Sequence, residues 1–179
     1  MARLKERYLK EVRPKLQEEF RYANPMLIPR LRKVVVNMGI SEAAKDKGVL
    51  QDHLKELAAI TGQKPVVTQT RKAVANFKTR KGQPIGAKAT LRGERMWDFV
   101  GNFIDIVGPR ISDFRGFEKT ADHQGNYTLG LKSQEIFPAV NLDELKRSQG
   151  LSITFVTTAT SDEEVYALLG GFGMPFKKK

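Results

Sequence analysis

Between Lys64 and Arg95 the sequence carries nine cations, Lys64, Arg71, Lys72, Lys78, Arg80, Lys81, Lys88, Arg92 and Arg95, and a single acid, Glu94. This stretch holds +8 of the net +11 carried by the 179 residues. Phosphate binding needs cations on flexible arms with few competing carboxylates. A charge excess focused in one stretch points to a site for a polyanion, and nucleic acid is the polyanion such a footprint fits. The plainer reading of the same residues is a solvated basic face. Asn76, Phe77 and Gln83 lie among the cations. Phe77 suits stacking on an exposed base. Val74 and Phe77, spaced i, i+3, also suit a pin that holds the segment to the core.

Other chemistry is thinly supplied. There is no cysteine, which excludes disulfides, thiolate metal sites and a cysteine nucleophile. The two histidines, His53 and His123, are far apart in sequence and neither has metal-ligand spacing to the other. No G-x-S-x-G elbow, H-E-x-x-H pair or phosphate-loop Gly-Lys-Ser/Thr is present. Gly82-Gln83-Pro84-Ile85-Gly86 imitates a glycine-rich phosphate loop, but Pro84 removes a backbone donor and no Lys-Ser/Thr follows. The expectation is therefore no catalytic residue, no metal and no cofactor. The first twenty residues are dense in charge and no uncharged run reaches the ~18 residues a bilayer needs, so no membrane partner is expected.

A second set of polar residues interrupts apolar runs. Asn37 breaks a valine-rich strand, Gln63 follows the glycine that ends a helix, and Thr90 lies in a short strand. By type alone each fits a cap or turn as well as a ligand contact. On the helix-free face of an antiparallel sheet, the three together suit hydrogen bonding to RNA sugar hydroxyls and base edges in a shallow minor groove.

The elements that must position these residues follow from periodicity. Leu4, Tyr8, Val12, Leu16 and Phe20 recur every four residues and predict an N-terminal helix, kinked or restarted at Pro14. Leu31 to Met38 predicts a strand with Val34, Val36 and Met38 on one side and Val35 and Asn37 on the other. A helix is expected from about Ala43 to Ile60, with Leu50, Leu54, Leu57 and Ala58 inward and Gly62 as its stop. Pro65 to Thr68 reads as extended. Residues 69–86 lack a sustained period and read as a long basic loop, a length that in a compact domain usually carries function. A strand at Lys88 to Arg92 then leads into a helix with Met96, Phe99, Val100, Phe103, Ile104 and Val107 on one stripe, ended by Gly108-Pro109.

Beyond Arg110 the chain is irregular, with short strands expected at Tyr127 to Leu131 and near Ile136-Phe137, and a firmer one at Leu151 to Thr158. Ser161-Asp162-Glu163-Glu164 spells a capping box for a last helix. Without repeats or a linker, one α+β domain over residues 1–179 is the economical expectation, with 69–86 as its basic loop.

A series of runs then carries a resemblance. In order, they are Val36-Asn37-Met38-Gly39, Ile60-Thr61-Gly62-Gln63-Lys64-Pro65, Arg71-Lys72-Ala73-Val74-Ala75-Asn76-Phe77-Lys78 and Pro84-Ile85-Gly86. Thr90-Leu91-Arg92-Gly93-Glu94-Arg95-Met96-Trp97, Asp113-Phe114-Arg115-Gly116, Gly125-Asn126-Tyr127, Ile136-Phe137-Pro138 and Ser161-Asp162-Glu163-Glu164 complete the series. Together they closely resemble large ribosomal subunit protein five, the 5S-rRNA-binding ribosomal protein family, in its bacterial form.

The resemblance implies an α+β fold with an antiparallel sheet backed by helices on one face. It also implies a non-enzymatic place on the cytoplasmic ribosome, in the central protuberance of the large subunit. The implied partners are 5S rRNA, nearby 23S rRNA, other 5S-rRNA-binding ribosomal proteins, peptidyl-site tRNA and a protein of the small-subunit head. By similarity, Asn37, Gln63 and Thr90 would hydrogen-bond 5S rRNA, and Lys64, Lys88 and Arg92 would meet its phosphates. Arg71, Lys72, Lys78, Arg80 and Lys81 would serve a tRNA-facing loop. The sequence departs from the family pattern at Ala73, Ser112, His123 and Ala139. Charge alone also admits a free RNA- or DNA-binding regulator, although no helix-turn-helix or aromatic RNP signature accompanies it.

Overall fold

The valine-rich run after Pro29 has the period of two that a half-buried strand requires. In a computed structural model of the chain, describing residues 3–44, 46–77, 79–111, 114–142 and 145–177, it forms β1 (Leu31–Gly39), with Val34, Val36 and Met38 buried and Asn37 exposed. β2 (Val66–Gln69), β3 (Pro84–Leu91), β4 (Asn126–Leu131) and β5 (Leu151–Thr157) join it in a five-stranded antiparallel sheet of order β2-β3-β1-β5-β4. With the helices below, the fold is α+β as the sequence predicts. No described helix is long and apolar enough to cross a membrane.

The chain divides into two compact units. The first comprises Met1–Val34, Arg92–Leu129 and Thr154–Lys179. Its N-terminal helix runs as α1 (Arg3–Arg7), a widened π turn over Tyr8–Val12, and α2 (Arg13–Phe20). Pro14 explains the π turn. A proline in a helix has no N–H to donate, and its ring collides with the carbonyl four residues back. Here Arg13 N–H donates to the Tyr8 carbonyl, one residue further back than usual, and Pro14 sits in the first turn of the restarted helix. The same solution recurs where α4 (Gly93–Asn102) passes into a π turn at Phe103–Val107. Gly108 N–H donates to Phe103, and Pro109 lies in a closing 3₁₀ turn.

These helices bury Val12, Leu16, Met96, Phe99, Val100 and Phe103 with α5 (Asp162–Gly171) residues Val165, Leu168 and Leu169. Tyr8, Trp97 and Phe172 form an aromatic triangle with ring centroids 5.6–6.0 Å apart. The Tyr8 hydroxyl donates to Pro29 at 2.9 Å. The capping box forms as the sequence spells it: Ser161 accepts from Glu164 N–H, and the Glu164 carboxylate accepts from Ser161 N–H.

The second unit comprises Val35–Leu91 and Gly130–Ile153. Its helix α3 (Lys47–Thr61) starts later than the apolar pattern suggests. Ser41–Ala44 make a separate 3₁₀ turn, and Asp46 is the N-cap, accepting from Gly48 N–H at 2.7 Å. Gly62 ends the helix in the left-handed conformation, as expected of that glycine. Leu50, His53, Leu57 and Ile60 are buried. Leu54 and Ala58, expected inward, are only half-buried and line a shallow depression with Lys55, Gln63 and Lys64.

The strand expected near Ile136-Phe137 is instead a 3₁₀ turn, Gln134–Ile136, opened by Ser133 accepting from Glu135 N–H at 3.1 Å. Gln134 is fully buried and its amide donates to Glu56 at 3.2 Å and to the Arg147 carbonyl at 2.8 Å. Glu56 also meets His53 at 2.8 Å. That polar knot anchors the segment before β5 to α3.

Candidate nucleic-acid interface

Strand β3 alternates by burial. Ala87, Ala89 and Leu91 are buried against the side where α3 packs, while Lys88 is exposed and Thr90 half-buried. β2 pairs antiparallel with β3, Val66 opposite Lys88 and Thr68 opposite Gly86. Residues opposite one another in a ladder share a face. Val66 and Thr68 therefore join Lys88 and Thr90 on the side away from α3. Ile40 N–H donates to the Ile85 carbonyl at 2.8 Å, which lays the end of β1 beside the start of β3. Asn37, exposed, alternates with the buried Val36 and Met38 and so faces outward too.

Gln63 reaches the same place from the turn after α3. Its side-chain amide donates to the Thr90 carbonyl at 3.3 Å, and its own carbonyl accepts from Thr61 Oγ1 at 3.1 Å. Lys64 follows it, exposed. The structure thus brings Asn37, Gln63, Lys64, Lys88 and Thr90 together in the second unit, as a polar patch with two cations on a helix-free part of the sheet. Val35, Val66 and Thr68 share this face. Composition does not single them out, but the period of two in each strand marks them once the strands are paired. Arg92 is exposed at the N-cap position of α4, in the first unit, and its side chain makes no capping bond.

The basic segment is more ordered than a loop over 69–86 implies. β2 runs to Gln69 and β3 begins at Pro84, four residues before the predicted strand start. Pro84 is tolerated because the first residue of a strand can forgo its N–H. Between them, Thr70 N–H donates to Gln83 and Gly82 N–H to Thr70, both at 2.9 Å. Gln83 Oε1 accepts from Arg80 N–H at 2.7 Å. Higher up, Val74 and Thr79 exchange backbone bonds of 3.2 and 3.3 Å around a 3₁₀ turn at Ala75–Phe77.

Arg71, Lys72, Arg80 and Lys81 are exposed on this hairpin, and Lys78 lies outside the described residues. Phe77 and Val74 do not pin the segment to a core: they are 78% and 40% exposed. The tip is held by backbone bonds across the hairpin, which sequence spacing does not reveal.

Some cations outside the patch are already paired. Lys146 pairs with Asp52 and Lys177 with Glu118, each at 2.8 Å. Among the described residues Lys64, Arg71, Lys72, Arg80, Lys81, Lys88 and Arg92 have no carboxylate partner. A cation already paired gains little from a phosphate, and an unpaired one gains the full contact with counterion release. His53 is spent on Glu56, and the exposed His123 on Asp162. No group of acids and histidines among the described residues could hold a metal ion.

Comparison with known proteins agrees with the geometry. The profile of ribosomal protein L5 matches residues 24–80, and that of the C-terminus of the ribosomal L5 family matches residues 84–176. The large ribosomal subunit protein uL5 of Protochlamydia amoebophila is 59% identical over 177 residues, spanning 99% of this chain and 96% of that protein. The uL5 proteins of Chlamydia felis and Chlamydia caviae are 57% and 56% identical over 178 residues, spanning 99% of each chain. A likeness of this extent, running through both units, makes the protein a non-enzymatic constituent of the large subunit of the cytoplasmic ribosome, with ribosomal RNA as its partner: the chain belongs to the ribosomal protein L5 family.

Proposed function

We propose that the chain binds 5S rRNA in the central protuberance of the large subunit, near 23S rRNA and the other 5S-binding proteins. Asn37, Gln63 and Thr90 supply hydrogen bonds, and Lys64, Lys88 and Arg92 meet phosphates. One observation carries this reading: uncompensated cations stand beside clustered amides and a hydroxyl on an open sheet face, and a shallow RNA minor groove offers hydroxyls and base edges to such a surface. In this proposal residues 1–179 work as one RNA-binding domain. The 69–86 segment, with Arg71, Lys72, Lys78, Arg80 and Lys81, extends toward peptidyl-site tRNA, and another part of the chain bridges to a protein of the small-subunit head.

The test is quantitative binding of the purified protein to 5S rRNA and to an unrelated transcript of equal length, over a salt series. About six neutralised phosphates give a log–log slope of roughly −4 to −5.5. Preference for 5S rRNA with that slope is the expected result. Equal affinity for both transcripts, or a slope near zero, overturns the proposal.

A further inference from the structure

The β2–β3 hairpin holds Phe77 in a position that neither its own fold nor its charge requires. The ring is 78% exposed and has no aromatic partner among the described residues. Isolated exposed apolar side chains are commonplace, but this one differs in its surroundings. It stands on a tip closed by the Val74–Thr79 bonds and braced below by Thr70, Arg80 and Gln83. Four exposed cations flank it, and no acid occurs between Lys64 and Gly93. An apolar protein surface has no reason to approach such a charge cluster, whereas a polyanion does. The polyanion that also offers flat apolar faces is nucleic acid.

We infer that Phe77 stacks on an exposed base face of RNA while Arg71, Lys72, Arg80 and Lys81 engage the neighbouring phosphates. This rests on the RNA-facing reading of the hairpin given above. Because the hairpin is already braced, little order must be imposed on binding, which favours a contact made by one rigid ring. The base face can come from 5S rRNA or from a tRNA, and the chemistry is the same in both.

Wild-type, Phe77→Ala and Phe77→Trp proteins are compared for binding to 5S rRNA and, as the 5S complex, to a tRNA transcript over a salt series. Stacking predicts that Phe77→Ala weakens binding to the RNA the ring meets by roughly 5- to 150-fold with an unchanged salt slope. Phe77→Trp should keep wild-type affinity, and its indole emission should be quenched by that RNA. The native Trp97 is 8% exposed against Tyr8 and Phe172, so the new signal reports the hairpin. Loss on 5S rRNA places the base there, and loss on tRNA places it there instead. Wild-type affinity of Phe77→Ala for both RNAs, without quenching in Phe77→Trp, overturns the inference. Failure of the wild-type protein to prefer 5S rRNA over an unrelated transcript overturns the underlying function instead, so the two failures are distinct.

Discussion

The side-chain amide of Gln63 donates to the backbone carbonyl of Thr90 at 3.3 Å, tying the turn after α3 to the end of β3. One N–H of the Gln63 side chain is spent on the protein, so Gln63 offers RNA its Oε1 and a single N–H, while Asn37 has no side-chain bond among the described residues and offers its whole amide. Asn37→Ala should therefore weaken 5S rRNA binding by about 5- to 30-fold, the worth of one or two fixed hydrogen bonds, with little change in salt slope. Lys81→Ala, in the hairpin proposed to face tRNA, should cost less affinity for 5S rRNA and leave the slope nearly unchanged. Filter binding at several salt concentrations measures both. The reverse order of effects would remove Asn37 from the interface without touching the family assignment.

The spacing of β1 and β3 sets where Asn37 and Lys88 stand, and Gly86 enforces it. A Cβ at Gly86 would lie 2.5 Å from the Met38 carbonyl and 3.1 Å from Thr68 Oγ1. The first neighbour is backbone and cannot swing away. Gly86→Ala should destabilise by about 1–3 kcal/mol, lowering the thermal midpoint by roughly 2–4 °C per kcal/mol, and should weaken 5S rRNA binding as well. Gly39→Ala is the control, since a Cβ there meets nothing within 4 Å. Equal melting of the two variants would show that the strands adjust freely.

What was legible from the sequence divides along physical lines. Period-two burial in β1, the glycine stop of α3 and the Ser161 capping box are local signals, and each stands where the residues place it. Pro14 and Pro109 announce helix disruption, but the π turns that absorb them depend on which carbonyl can be bypassed, and spacing is silent on that. The site was legible in type, because cations without acids need no geometry to be noticed. Its assembly was not, since the Gln63–Thr90 bond and the Thr70–Gln83 bonds that brace the hairpin join residues well separated in sequence. The apolar pair Ile136-Phe137 likewise spells a strand, and what overrides it in favour of the 3₁₀ turn at Gln134–Ile136 is a buried Gln134 bonded to the distant α3.

Gln134 is the test of that override. Its amide serves Glu56 and the Arg147 carbonyl, and its oxygen accepts from Gln149 N–H. Gln134→Leu keeps the apolar volume but leaves the Arg147 carbonyl and the Gln149 amide without their partner. The expected cost is roughly 1–3 kcal/mol, together with faster hydrogen exchange at the Gln149 amide. Exchange at Gln149 equal to wild type would show that the segment before β5 is held by its apolar contacts alone.

Acid should loosen the start of α5. Burial opposes the charge of Glu164, but hydrogen bonds from the Tyr22 hydroxyl, from Thr160 N–H and Oγ1, and from Ser161 N–H outweigh it and hold the carboxyl below its ordinary value of 4.5. A depressed carboxyl contributes stability that is present above the unfolded value and lost as pH falls through the folded one. Exchange at the first-turn amides of α5 should therefore accelerate below pH 4.5. Tyr22→Phe removes the bond that most favours the carboxylate, so the acceleration should begin at higher pH. Glu164→Gln cannot titrate, and should start less stable at neutral pH and show a flatter acid response. An acid response identical in Glu164→Gln and wild type would assign the loss to other carboxylates of the first unit and leave the capping box a purely geometric device.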